Sequence, residues 1–207
     1  CFCTTNKSLD FSWKKSKDTF MELIKEFKQS KIIKNVFIAL IGTILLAISS
    51  KIKIPFYPVP MTMQTLVILL LGITLGWKLG LATVLLYLFE GIIGLPVFSG
   101  SPEKGIGLTY FTGPTMGYLI GFLFTVYFAG KFEFKGSLFK KFLQLIFSTS
   151  FIYLFGILWL GVLIGWGKPL FQLGVYPFLF AELFKILIVL FSLSKLKKIK
   201  SIFKITI

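Results

Sequence analysis

Between Ile33 and Ser194 the chain is a succession of apolar runs, and ionisable side chains fall almost entirely in the gaps between them. The runs cover about 33–50, 64–76, 79–93, 113–130, 142–165 and 176–194. A run placed in hydrocarbon finds no water for its backbone amides, so it must satisfy its own N–H and C=O groups as a helix. Apolar residues make up 56% of the chain and the mean hydropathy is +0.86. A soluble domain of 207 residues built that way has too little polar surface to cover itself. The expectation is an all-α integral membrane protein with about six transmembrane helices in residues 33–194. A polar, Lys-rich segment, 1–32, precedes them and a basic tail, 195–207, follows.

Two of the six runs, 64–76 and 79–93, are shorter than the roughly 20 residues a spanning helix needs. Trp77 and Lys78 separate them. Either they form one re-entrant hairpin, or they are two short helices whose loops reach into the membrane. The loop 51–60 carries Pro55, Pro58 and Pro60, and the segment 94–112 is rich in Gly and Pro. Ahead of the first run, Phe20, Leu23, Ile24 and Phe27 share one helical face. That spacing predicts an amphipathic helix on the membrane surface. No apolar run precedes Ile32, so no secretory signal peptide is expected in the sequence shown.

The net charge of +15 comes from 23 basic residues, all Lys, with no Arg and no His. With both termini placed in the cytoplasm, eighteen lysines fall on the inner side and four (Lys51, Lys53, Lys104 and Lys168) on the outer. The positive-inside rule therefore predicts cytoplasmic termini, and the basic balance is a topology signal, with no nucleic acid implied. Small residues recur four apart at Gly72/Gly76/Gly80, Gly113/Gly117/Gly121, Gly161/Gly165 and Ala39/Thr43/Ala47. Such rows let helices approach closely. The Ala39/Thr43/Ala47 row suits packing within the bundle and docking of a partner membrane protein equally well.

Ionisable groups inside a membrane are costly and mark function. Glu90, Glu182 and Lys185 are the three that fall within runs. Glu182 and Lys185, three apart, share a helical face and can neutralise one another or offer an acceptor beside a cationic donor. Gln64, Tyr87, Tyr118 and Tyr153 gather near the same ends of their runs, with Phe56, Tyr57, Trp159 and Trp166. An apolar wall with a few placed polar groups suits a small-molecule pocket. Enzyme activity is not expected. Gly130–Lys131 and Gly167–Lys168 lack the remainder of a nucleotide-binding loop, and there is no His base or nucleophile elbow. With no His, and Cys only at positions 1 and 3, no cofactor or metal site is expected within the membrane.

The run Ile54-Pro-Phe-Tyr-Pro-Val-Pro-Met-Thr-Met-Gln-Thr-Leu66 resembles the opening of the BioY family, the biotin-specific membrane component of energy-coupling-factor (ECF) transporters. Tyr87-Leu-Phe-Glu-Gly-Ile-Ile-Gly-Leu-Pro-Val-Phe98, Ser101–Leu108, Gly113–Phe122 and Pro177-Phe-Leu-Phe-Ala-Glu-Leu-Phe-Lys185 continue the likeness over about 36–192. The resemblance implies a six-helix substrate-binding (S) component in a bacterial cytoplasmic membrane. It would bind biotin and join a transmembrane coupling (T) component with a pair of ABC-type ATPases, where ATP hydrolysis would reside. A second copy of the chain is a further partner left open. It also implies that Ala39, Thr43 and Ala47 dock the coupling protein. Biotin would meet Gln64, Tyr87, Glu90, Lys104, Tyr118, Tyr153, Glu182 and Lys185, with Lys104 a candidate for its carboxylate. Glu182 stands where the family more often has Asp, Ser148–Thr149 where Gly-Asn is common, and Met116 where Gly is common. The alternatives are an S component for another vitamin and a non-transporting membrane assembly protein.

Overall fold

A computed structural model describes residues 31–55, 57–100 and 105–203. The amphipathic stretch at 20–27, Phe56 and Lys104 lie outside the described residues. Helix α1 spans Lys31–Lys51. Its first turns, 31–38, belong to a unit of their own and expose most of their side chains. All that follows concerns the second unit, from Ala39 on.

After α1 the chain forms two antiparallel two-residue strands, β1 (Lys53–Ile54) and β2 (Met61–Thr62), with Lys53 opposite Thr62 and Ile54 opposite Met61. Three prolines lie between them, and proline donates no ladder hydrogen bond, which keeps the pairing short. The sequence pattern had not pointed to this small hairpin.

Helix α2 (Gln64–Ile93) is broken at Gly76, whose φ of 76° and ψ of 171° suit glycine alone. A straight helix would hold residues 64 and 87 about 34 Å apart at ~1.5 Å per residue. Instead Gln64 Nε2 donates to the Tyr87 hydroxyl at 2.7 Å. α2 is therefore a helical hairpin turning at Gly76. The two short runs are its arms, and Trp77 and Lys78 follow the turn. Gly94, left-handed at φ 105°, ends the second arm and donates to the Glu90 and Gly91 carbonyls.

The chain continues through the short α3 (Leu108–Phe111), α4 (Met116–Lys131), α5 (Leu138–Ile164), the short α6 (Leu170–Gly174) and α7 (Tyr176–Phe203). α5 starts four residues before its apolar run because Ser137 caps it, accepting from the Lys140 N–H. α7 does not stop with its apolar run at 194, since Lys is a good helix former and neither Gly nor Pro intervenes. Among the described residues four helices are long and apolar enough to cross a membrane: α1, α2, α5 and Tyr176–Leu196 of α7; α4 is a shorter apolar helix. Counting the arms of α2 separately gives six apolar helical segments. Many large apolar side chains point outward, among them Phe180 at 82% and Phe191 at 73% exposure. In water such a surface is untenable; against lipid it is the expected one.

Glycine rows do the packing expected of them at several positions, but not at Gly76 or Gly165, where nothing lies near. A Cβ on Gly72 would lie 2.9 Å from the Ala129 Cβ, and one on Gly121 2.5 Å from the Ile152 Cα, so α2 meets α4 and α4 meets α5 backbone to backbone. Gly76, the middle of its row, has nothing near it and serves the turn. The small residues of α1 face inward. Ala39 and Thr43 are 6% and 2% exposed, Ala47 is half-buried, and Gly42 on the same helix abuts Thr83 and Leu71 of α2. Gly42 thus packs within the bundle beside this row, and docking of a partner by Ala39, Thr43 and Ala47 stands as the resemblance implied it, a proposal.

Helix directions alternate. The end of α1, the start and finish of α2, the start of α4 and the start of α7 share one end of the bundle with α3 and the loops. A dry core of Leu69, Ile73, Ala129, Phe134, Leu145, Ile186, Val189 and Leu193 fills the other.

Candidate functional site

At the looped end the helices part around a chamber with about 550 Å3 of unfilled space, its mouth included. α7 contributes Phe178, Glu182 and Lys185; α2 contributes Gln64 and Thr65; α4 contributes Tyr118, Leu119 and Phe122; α5 contributes Ile152 and Tyr153. The loops complete it with Val59, Pro60, Phe98 and Ser99, and the short α3 with Tyr110.

Its polar centre is compact. Lys185 Nζ donates to Glu182 Oε1 at 2.6 Å, to Thr65 Oγ1 at 2.9 Å and to the Thr62 carbonyl at 2.7 Å. The Thr65 hydroxyl donates to the same Glu182 oxygen at 2.7 Å. Glu182 and Lys185 are 5% and 4% exposed. The helical spacing brings the two together on one face, and Thr65 crosses from α2 to complete the triangle. The second carboxylate oxygen, Oε2, is buried without a donor among the described residues. The Tyr153 hydroxyl lies close to this carboxylate but falls short of hydrogen-bond geometry. Ser99 Oγ, at the loop side, is buried and unpaired as well. Buried polar atoms are nearly always satisfied. A chamber that strands an acceptor and a hydroxyl is set for a guest with polar groups of its own.

The aromatic wall is held from behind. Tyr118 donates to the Gly174 carbonyl at 2.9 Å and meets Tyr153 edge-on at 6.4 Å; Tyr153 in turn lies 6.3 Å from Phe178. Gly156 makes room for the Tyr118 ring, since a Cβ there would sit 2.5 Å from Cε1. Phe98 stacks on Tyr110 at 4.7 Å and meets Tyr87 edge-on at 5.4 Å. Burial holds the Tyr110 phenol above its usual range, against the opposing effect of hydrogen bonds with Thr115 and Gly100, so it is a neutral donor.

Of the residues singled out from sequence, Gln64, Tyr118, Tyr153, Glu182 and Lys185 line the chamber together. Tyr87 does not: fully buried one layer back, it accepts from Gln64 and donates to the Val97 carbonyl at 3.0 Å, fixing the amide that does. Glu90 is half-buried at the end of α2 and is not among the lining residues. It lies one helical turn beyond Tyr87, which itself stands a layer behind the chamber wall. Thr65, Phe98, Ser99, Tyr110 and Phe178 line the chamber unforeseen. Thr65 and Phe178 carried a signal: one follows Gln64, the other stands a turn before Glu182. Ser148 and Thr149, which depart from the family pattern, are buried and bond back to the Gln144 and Leu145 carbonyls, away from the chamber. Trp159 anchors the loop before α4 by donating to the Gly113 carbonyl at 2.9 Å.

Fold and site together define a multi-pass helical membrane protein with a loop-covered small-molecule chamber at one end of its bundle. The model of the BioY family matches residues 17–201. The "Probable biotin transporter BioY" of Pyrococcus horikoshii is 34% identical over 73% of this chain and 89% of its own. "Biotin transporter BioY2" of Lactococcus lactis subsp. cremoris is 33% identical over 82% and 93%. The crystal structure of the S-component for biotin from an ECF-type ABC transporter aligns with a TM-score of 0.67 at 26% identity, covering 82% of this chain and 93% of that one. The chain belongs to the BioY family.

Proposed function

We propose that this chain is the biotin-binding S component of an ECF-type transporter and takes up biotin across the cytoplasmic membrane. The observation that carries the reading is the stranded Glu182 Oε2 beside Lys185 in an apolar, aromatic-walled chamber. The ureido ring of biotin has two N–H donors and one carbonyl. An N–H supplies the donor that Glu182 lacks, and Lys185 donates to the carbonyl. Tyr118, Tyr153 and Phe178 accept the apolar bicycle and chain, and Gln64 and Ser99 offer further polar contacts. Lys104, with the loop that bears it, is the cation proposed for the carboxylate. Glu90 and Tyr87 act, on this reading, at one remove.

The lysine distribution supports cytoplasmic termini, which puts the chamber at the outer end. ATP hydrolysis would belong to a pair of partner ATPases reached through a T component. The names and structural likeness of the relatives support that assembly.

Binding of labelled biotin to the purified, detergent-solubilised chain tests the reading. Saturable binding at micromolar biotin or below is expected. A well-folded protein that binds none at that concentration overturns it and leaves an S component for another vitamin, or an assembly protein without a ligand.

A further inference from the structure

The other end of the bundle carries a second concavity, remote from the biotin chamber. It lies between the end of α4 and the start of α5 and is lined by Phe128, Lys131, Phe132, Lys140, Gln144 and Phe147, with Leu143 at its side. About 1,090 Å3 of unfilled space opens outward from it. Its floor is aromatic: Phe147 lies 5.3 Å from Phe128 and 6.0 Å from Phe132. Both lysines are exposed, and Lys131 is drawn over Tyr127, with Nζ 5.4 Å from the ring and 3.3 Å from the hydroxyl. Neither makes an ion pair among the described residues. The nearby Glu133 carboxylate is engaged by Lys135 at 2.6 Å. Gln144 Oε1, beneath the groove, is buried with no donor among the described residues.

Apolar floor, cationic rim and an acceptor lacking a donor are the complement of one molecule class. We infer that this groove binds an anionic phospholipid with a hydroxylated headgroup, of the phosphatidylglycerol type. The acyl chain lies along Phe128, Phe132 and Phe147. The phosphate sits between Lys131 and Lys140, and a headgroup hydroxyl donates to Gln144. Phosphate and lysine pair here at the depth where the apolar run gives way to the charged loop, which is where a headgroup lies. The cytoplasmic leaflet is the relevant one, a point resting on the orientation proposed above.

Native mass spectrometry of the full chain released from mixed phosphatidylglycerol–phosphatidylcholine nanodiscs tests this. One phosphatidylglycerol should be retained in preference to phosphatidylcholine. Each of Lys131→Gln and Lys140→Gln should weaken retention about fivefold, the factor equivalent to ~1 kcal/mol per lysine near a headgroup. Gln144→Leu, which keeps the groove apolar, should lower the preference for phosphatidylglycerol over phosphatidic acid. Soluble glycerol 3-phosphate should not displace the lipid, and displacement would reassign the site to a free phosphate ester. Equal retention of both lipids, or lysine variants that behave as wild type, overturns the inference. So does a two-copy species lost in the variants, which would make the groove an interface. Labelled biotin binding, expected to be unchanged in all three variants, certifies the fold. Its failure in wild type would sink the proposed function without touching the lipid result.

Discussion

Lys185 and Glu182 meet at 2.6 Å one turn apart on α7, and the geometry leaves the carboxylate half satisfied. A buried pair of this kind is weak evidence for stability, because desolvation offsets most of its attraction, yet removing one partner strands the other. Lys185→Ala should therefore cost about 3–5 kcal/mol of stability as well as at least tenfold in biotin affinity, about 1.4 kcal/mol. The neutral double variant Glu182→Gln/Lys185→Met should recover most of the thermal stability and none of the affinity. Tm and equilibrium biotin binding, measured side by side, separate the two effects. A double variant that regains full affinity would falsify a ligand role for the pair.

Gly156 sets the position of the Tyr118 ring. Gly156→Ala introduces a Cβ 2.5 Å from Tyr118 Cε1, and the ring's hydroxyl is tied to the Gly174 carbonyl, so the ring can move only into the chamber. Overpacking of this sort costs about 1–3 kcal/mol. The expected result is a modest fall in Tm with a large fall in affinity, and partial recovery of binding in Gly156→Ala/Tyr118→Leu. Affinity unchanged in the single variant would show that the wall does not shape the site.

The α1 row makes a prediction that divides its two readings. Ala39 and Thr43 are buried in the isolated chain. Replacing both with Leu should lower the Tm of the isolated chain, again by an overpacking cost of about 1–3 kcal/mol. A docking face with no internal role would leave the isolated chain unchanged and lose only the assembled transporter in co-purification.

Much of this was legible beforehand, for identifiable reasons. Apolar runs and lysine gaps mark the segments because backbone satisfaction and charge placement are local properties. The Glu182–Lys185 contact was legible because helical spacing dictates it. Thr65 was not, since its partner lies 117 residues away and only the packing of α2 on α7 brings them together. Gly76 hid in a packing row: spacing alone does not say which glycine carries a positive φ. Tyr87 and Glu90 were drawn to the site by their neighbours in sequence, whereas the arm of α2 turns one to the layer behind the wall and carries the other past it.

The last prediction concerns the loop that covers the chamber. Phe98 and Ser99 line it, and the carbonyls around them are held from the end of α1 and from β1. Ser50 Oγ donates to Val97 O at 2.7 Å, Lys51 Nζ to Phe98 O at 2.9 Å and Lys53 Nζ to Ser99 O at 2.8 Å. None of these three donors lines the chamber, so they can act on a ligand only through the loop. Lys51→Met/Lys53→Met should raise the dissociation rate of labelled biotin while leaving its association rate within about twofold. About 1 kcal/mol of lost holding energy corresponds to about a fivefold faster release. Dissociation chased with unlabelled biotin, together with association followed by intrinsic fluorescence, gives both rates. An unchanged release rate would mean that the loop stays shut without the lysines, held by the Phe98–Tyr110 stack and the Tyr87 and Ser50 hydrogen bonds to Val97.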